Sequence, residues 1–193
     1  MPCFTKRSTI QTSHHSVLDG WSLPVLLQEV FATLGGHALP PAVPFRRFVT
    51  WLTEQDHDAA LAAWQDALAG FETPAPVGPS HKLGSGRRET QSLRLSEPAT
   101  RALTDLARTH HTTVNTVLQA GWAQLLVWLT GQHDVAFGAA VSGRPAEVAG
   151  AESMVGLLIN TVPVRARITA TTTTAGLLEQ LQSLSNRTLD HQH

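Results

Sequence analysis

The chain has 193 residues, of which 42% are hydrophobic and 15% charged, with a formal net charge of -1. This balance supplies enough apolar side chain for a core and argues against disorder. With no cluster of Lys and Arg, it also argues against a nucleic-acid groove or a membrane surface as partner.

No apolar run reaches the ~20 residues that a bilayer needs. The N-terminal stretch has basic residues but lacks the apolar segment of a secretory signal. Cys3 is the single cysteine, so no intrachain disulfide forms. A soluble cytoplasmic protein is expected.

Residues 8–15 read as a strand running into His14 and His15. A helix follows over about 22–34, with Ser22 as its cap, Pro24 in the tolerated first turn and Gly35 at its end. Leu23, Leu26, Leu27, Val30, Phe31 and Leu34 give it an apolar stripe at helical spacing. After a proline-rich connector at 39–44, residues 45–55 form a short helix with Phe45, Phe48, Val49 and Leu52 inward. A helix over 58–69 is capped by Asp56 or Asp58, aligns Leu61, Trp64 and Leu68, and stops at Gly70. Residues 71–88 hold three prolines and three glycines and read as a linker.

The second half alternates. "ETQSLRL" (89–95) has the period of a strand, and 96–110 is a helix with Ser96 as cap. A longer helix over 113–130 carries Val117, Leu118, Leu125, Leu126 and Leu129 and closes at Gly131. "DVAFGAAV" (134–141) and "LLINTVPVRARI" (157–168) are strands on either side of a glycine-rich loop. A last helix over about 174–190, capped by Thr174, presents Leu177, Leu178, Leu181 and Leu184. The whole is a mixed α/β chain. Its large aromatics, Trp21, Phe45, Phe48, Trp51, Trp64, Trp122 and Trp128, are assigned to the core.

The stretch "TSHHSVLDGWSLP" (12–24) concentrates the chemistry. At a strand end, adjacent side chains point to opposite faces. His14 and His15 are therefore poor joint ligands for one metal, and one can face a cleft while the other packs. Histidine titrates near neutrality, so His15 can take a proton from an attacking nucleophile. Gly20 permits a sharp turn or close approach to a ligand. No Ser or Cys nucleophile has suitable partners, which favours direct transfer between two bound substrates. On spacing alone, a surface pair is the commoner reading. His110, His111 and the terminal "HQH" lack partners at ligand spacing, so no metal site is expected.

The string "HHSVLDGWSLPVLLQEV" resembles the HHxxxDG signature of nonribosomal peptide synthetase condensation domains. Further matches follow in the family's order: "FRRFVTWL" (45–52), "DVAFGAAVSGRPAEVAGAESMVGLLINTVPVR" (134–165) and "HQH" (191–193). The wording is most similar to domains that join two L-configured residues. Epimerisation domains, polyketide-associated acyltransferases and ester synthases share the signature.

The resemblance implies a chloramphenicol-acetyltransferase-like fold of two lobes with the motif in a tunnel. It also implies amide formation between an aminoacyl or peptidyl thioester and an aminoacyl thioester. Upstream and downstream carrier proteins present both on phosphopantetheine, and the domain has no cofactor of its own. His15 would be the acting histidine, with His14, Asp19 and Gly20 supporting the motif. Trp21, Ser22, Ser142, Arg144, Asn160 and Thr161 are candidates for the tunnel wall.

Thirteen residues precede His14 and form a lead-in (1–13) unlike the family's. The expected organisation is then the end of an N-terminal lobe (14–70), a linker (71–88) and a partial C-terminal lobe (89–193), a fragment truncated at both ends. Such a fragment would expose lobe edges that invite self-association, and the chain would be either a condensation enzyme or an inactive remnant that docks carrier proteins. The resemblance puts the arginine that pairs with Asp19 in the part ahead of the motif that such a fragment lacks, so Asp19 would lose that partner unless Arg46, Arg47 or Arg144 substitutes.

Overall fold

The computed structural model describes residues 12, 14–74, 76–78 and 89–193. They divide into two compact units: the described part of Met1–Gln55 with Val141–Asn160, and that of Asp56–Ala140 with Thr161–His193. Most of 71–88, and residues 8–11 and 13 of the expected first strand, lie outside the described residues. The rest of that strand is corrected: Thr12 and His14 have no regular structure and His15–Val17 form a turn, closed by the Val17 N–H on the His14 carbonyl at 3.0 Å.

In the first unit, helix α1 (Ser22–Leu34) begins after Trp21, which makes no side-chain cap. Ser22 is inside the helix rather than its cap. Asp19 supplies the missing acceptor, its Oδ1 receiving the Ser22 N–H at 2.8 Å. The apolar stripe of α1 is helical but not buried: Leu23, Leu27, Val30, Phe31 and Leu34 are exposed, and Ser22 is the buried residue of the helix. Leu23, Leu27, Val30 and Leu34 alternate in steps of four and three, the spacing of a helix-packing seam.

Helix α2 (Arg46–Thr53) buries Phe48 against Val148, Ala151, Met154 and Leu158, with Phe45, Trp51 and Leu52 alongside. Removing the Phe48 side chain from water contributes about 2 kcal/mol. Phe45, Phe48 and Leu52 take the inner face and leave Val49 exposed, contrary to expectation. Gly156 admits this cluster, since a Cβ there would come within 2.2 Å of the Phe45 ring.

The second unit packs four helices on a two-stranded sheet of β1 (Asp134–Val141) and β2 (Asn160–Arg167). The Ile168 N–H reaches the His133 carbonyl at 2.8 Å, while Gly138 faces Thr161, so the strands run antiparallel. Val135, Phe137 and Ala139 of β1 and Val164 and Ala166 of β2 present alternate positions to one core. Helix α3 (His57–Ala67) is capped by Asp56, whose Oδ1 accepts the Ala59 N–H at 2.9 Å. Ser96 caps α4 (Glu97–Thr109), Thr113 caps α5 (Val114–Thr130), and Thr173, not Thr174, caps α6 (Thr174–Thr188). Gly131, at φ 70, closes α5 in the left-handed conformation.

Several expectations are corrected here. Residues 89–95 form no strand: they pair with no strand among the described residues, and Leu93 is 88% exposed. On α5, Ala120, Ala123 and Val127 make the close-packed face with Val117 and Leu126, leaving Leu118, Leu125 and Leu129 exposed. The α5 sequence has no charged residue, so its composition could not distinguish inner from outer face. Trp21, Trp122 and Trp128 are exposed, and Leu61 lies outward on α3. The α6 leucines are buried as expected. Among the described residues, no helix is long and apolar enough to cross a membrane.

Candidate functional site

The site is built from the turn that carries the two histidines. His14 accepts the Ser16 N–H on Nδ1 at 3.1 Å, and the same nitrogen lies 2.8 Å from the Ser16 hydroxyl. This local ring of bonds shapes the turn, and it leaves His15 exposed with no hydrogen bond to its ring among the described residues. Gly20 is exposed, with no atom within 4 Å of where a Cβ would stand. The surface beside the turn is therefore open.

Asp19, four residues after His15, is 4% exposed. Its Oδ1 accepts the Ser22 N–H, the Ser22 hydroxyl at 2.7 Å and Arg144 Nη2 at 3.2 Å. Its Oδ2 takes the Leu158 N–H at 3.1 Å and Arg144 Nη2 at 3.3 Å. Burial raises the carboxyl pKa, but the Ser22 hydroxyl, the Leu158 and Ser22 N–H groups and the Arg144 charge outweigh it, holding Asp19 below the usual carboxylate range. Arg144 is thus the partner left open among three arginines. Its Nη1 also donates to the carbonyls of Ala151 and Met154, and the Trp21 ring lies 6.0 Å from its guanidinium carbon.

The other candidate residues distribute unevenly. Ser22 is 0% exposed, and both Ser22 and the 6% exposed Arg144 side chain are engaged within the fold rather than turned toward solvent. Ser142 is exposed ahead of Gly143, and Asn160 is half-buried at the start of β2. Thr161 belongs to the other unit, against Gly138. Sequence reasoning missed the backbone of Gly156 and Leu158 as receivers of the motif loop. The available signal was a serine opening a helix whose first turns are otherwise apolar, Leu23 to Leu27. Among the described residues, no group of three or more His, Cys, Asp or Glu side chains is placed to hold a metal ion.

The sequence profile of the condensation domain family matches residues 5–193. The chain belongs to the condensation domain family. It is 39% identical over 188 residues to surfactin synthase subunit 3 of Bacillus subtilis (strain 168), covering 93% of this chain and 15% of that protein. It is 42% identical over 182 residues to one of the linear gramicidin synthase polypeptides of Brevibacillus parabrevis, covering 89% of this chain and 4% of that one.

The fold agrees. The first condensation domain of the calcium-dependent antibiotic synthetase, solved with a substrate analogue, superposes with TM-score 0.71 at 25% identity, over 92% of this chain and 43% of that one. A four-domain nonribosomal peptide synthetase bound to AMP and glycine gives the same TM-score and identity, over 93% of this chain and 14% of that one. The mixed α/β architecture is therefore the chloramphenicol-acetyltransferase-like one, and this condensation-domain chain spans less than half the length of these relatives.

Proposed function

We propose that the chain takes part in amide-bond formation between two carrier-bound substrates, an aminoacyl or peptidyl thioester as donor and an aminoacyl thioester as acceptor. The acceptor amine attacks the donor thioester carbonyl, a C–N bond forms, the C–S bond breaks, and the amine proton passes to the released thiolate. The observation that carries this reading is an exposed His15 on a turn whose far end is fixed by a buried Asp19–Arg144 pair. His15 acts as the proton acceptor or orients the amine. Orientation alone can supply ~7 kcal/mol of barrier lowering, which favours positioning as its larger share. His14 and Asp19 shape and hold the loop, Gly20 leaves room beside it, and Trp21, Ser142 and Asn160 of the same unit contribute to the surface the substrates meet.

Phosphopantetheine arrives on the upstream and downstream carrier proteins, and the chain itself needs no cofactor or metal. The motif wording favours the type that joins two L-configured residues, acting in the cytoplasm. The test is a single-turnover reaction with both loaded carriers, followed by intact-protein mass spectrometry. Dipeptidyl thioester that forms with wild type and is lost with His15→Ala is expected. Product formed equally by both proteins would remove His15 from the chemistry.

A second reading, a non-catalytic module that docks carriers or associates with itself, is favoured by the exposed apolar faces of α1 and α5. Folded wild type that binds carriers without forming product is its signature.

A further inference from the structure

We infer that Ser22 is a positioning residue for His15, an inference that rests on His15 being the acting histidine. Residues 14–17 are exposed and Leu18 is half-buried, so the first buried anchor of the histidine turn among the described residues is Asp19. Asp19 is fixed to the 154–158 segment directly, by its own N–H on the Gly156 carbonyl and by the Leu158 N–H on Oδ2, and Ser22 adds a further bridge between the two. The Ser22 Oγ lies 2.7 Å from Asp19 Oδ1 and 2.8 Å from the Gly156 carbonyl oxygen, and it accepts the Gly156 N–H at 3.0 Å.

A hydroxyl has one proton, so Ser22 serves one of those two acceptors at a time. The Gly156 carbonyl also receives the Asp19 N–H at 3.1 Å, and a bond to an ionised carboxylate is the stronger of the two. The proton therefore goes to Asp19 and the lone pair to Gly156 N–H, making a continuous bridge from the motif loop to the facing segment.

Removing the hydroxyl separates position from charge. Asp19 would keep the Ser22 N–H, the Leu158 N–H and Arg144, so the carboxylate stays paired. The Gly156 N–H would lose its acceptor in a buried place, while the Asp19 N–H to Gly156 and Leu158 N–H to Asp19 bonds remain, so the segment stays attached but holds the turn with one restraint fewer. The expected consequence is a fold that survives with His15 less sharply placed. Sequence position alone does not indicate this, because Ser22 points away from solvent.

The experiment compares wild type, Ser22→Ala and Ser22→Cys as full chains, using circular dichroism, the His15 ring resonance in NMR (assigned by its loss in His15→Gln) and steady-state condensation. In Ser22→Ala the folded spectrum is expected to persist and the His15 resonance to shift or broaden, while His57 in the other unit keeps its position. The turnover number is expected to fall about 10- to 100-fold with KM unchanged, and Ser22→Cys, which keeps a weak donor, to recover part of it. A His15 resonance unmoved in folded Ser22→Ala overturns the inference. So does loss of the folded spectrum in both variants, which would make Ser22 a folding residue only. If wild type forms no amide, the catalytic reading fails by itself and the His15 resonance still decides the role of Ser22.

Discussion

Arg144 Nη2 lies 3.2 Å from Oδ1 and 3.3 Å from Oδ2 of Asp19, joining positions 125 apart in sequence, with both side chains nearly excluded from water. Removing one member of a buried ion pair leaves the other charge uncompensated, at a cost of about 3–5 kcal/mol. Asp19→Asn is therefore expected to lower the thermal midpoint by about 10 °C. Asp19→Asn combined with Arg144→Met should lose less than the sum of the two single changes, because the pair is coupled. Circular-dichroism melts of the four proteins check this. A midpoint untouched by Asp19→Asn would mean the pair does not hold the loop.

Acid should weaken the protein in two stages. His193 is held below its ordinary pKa by burial and by the nearby His57 and His191. The folded state therefore binds its proton less readily than the unfolded chain. The stability this contributes is present above about pH 6.5 and is lost as pH falls through the lowered folded value. Asp134 is held low chiefly by the hydrogen bond from Arg165, and Asp19 by the Ser22, Leu158 and Arg144 contacts that outweigh its burial. Both carboxylates stabilise the fold above about pH 4 and cease to as pH drops through their depressed values. Melting from pH 8 to pH 3 should show a shallow early decline, flattened in His193→Gln, followed by a steeper one that this variant keeps. An early decline identical in both proteins would remove His193 from the first stage.

The helices were legible because their signals are local. Asp56, Ser96 and Thr113 accept N–H groups three residues ahead, and α6 carries leucines at the spacing of a buried stripe. What was hidden depends on partners distant in the chain. Residues 89–95 have the alternation of a strand, yet a strand exists only by pairing, and the sequence cannot state whether a partner arrives. The stripes of α1 and α5 correctly announce helices, while the side each buries depends on what packs there. In the site, Asp19 was legible as an ion-pair member and Arg144 as one of three partners. Ser22 was legible as the start of a helix and as a candidate wall residue, but not as a bridge, because an oxygen that accepts from a backbone amide 134 positions away leaves no periodic trace.

Two glycines should separate loop access from loop architecture. Gly143 has φ 58, and a Cβ there would lie 1.6 Å from the Leu158 carbonyl oxygen. Gly143→Ala must displace backbone, with an expected loss of about 3 kcal/mol or more. Gly20 has open space where its Cβ would stand, so Gly20→Ala should change stability by no more than about 0.5 kcal/mol. A condensation rate that nevertheless falls in Gly20→Ala would place bound substrate beside that residue. If Gly20→Ala melts as early as Gly143→Ala, its role is architectural instead.

The outer face of α5 supports a prediction about association. Leu118, Trp122, Leu125 and Leu129 repeat in steps of four, three and four, with Trp128 beside them 75% exposed. Contiguous exposed apolar surface of this kind favours contact with another apolar surface, and a net charge of -1 gives little electrostatic repulsion between copies. Sedimentation velocity should show association that grows with concentration. Trp128→Glu with Leu129→Lys should reduce it while shifting the thermal midpoint by no more than about 2 °C, since neither side chain belongs to the buried core. Association that persists unchanged in this variant would move the contact elsewhere, with the exposed seam of α1 next to be substituted. A sharp fall in the midpoint would instead mean that the outer face of α5 already packs within the folded chain.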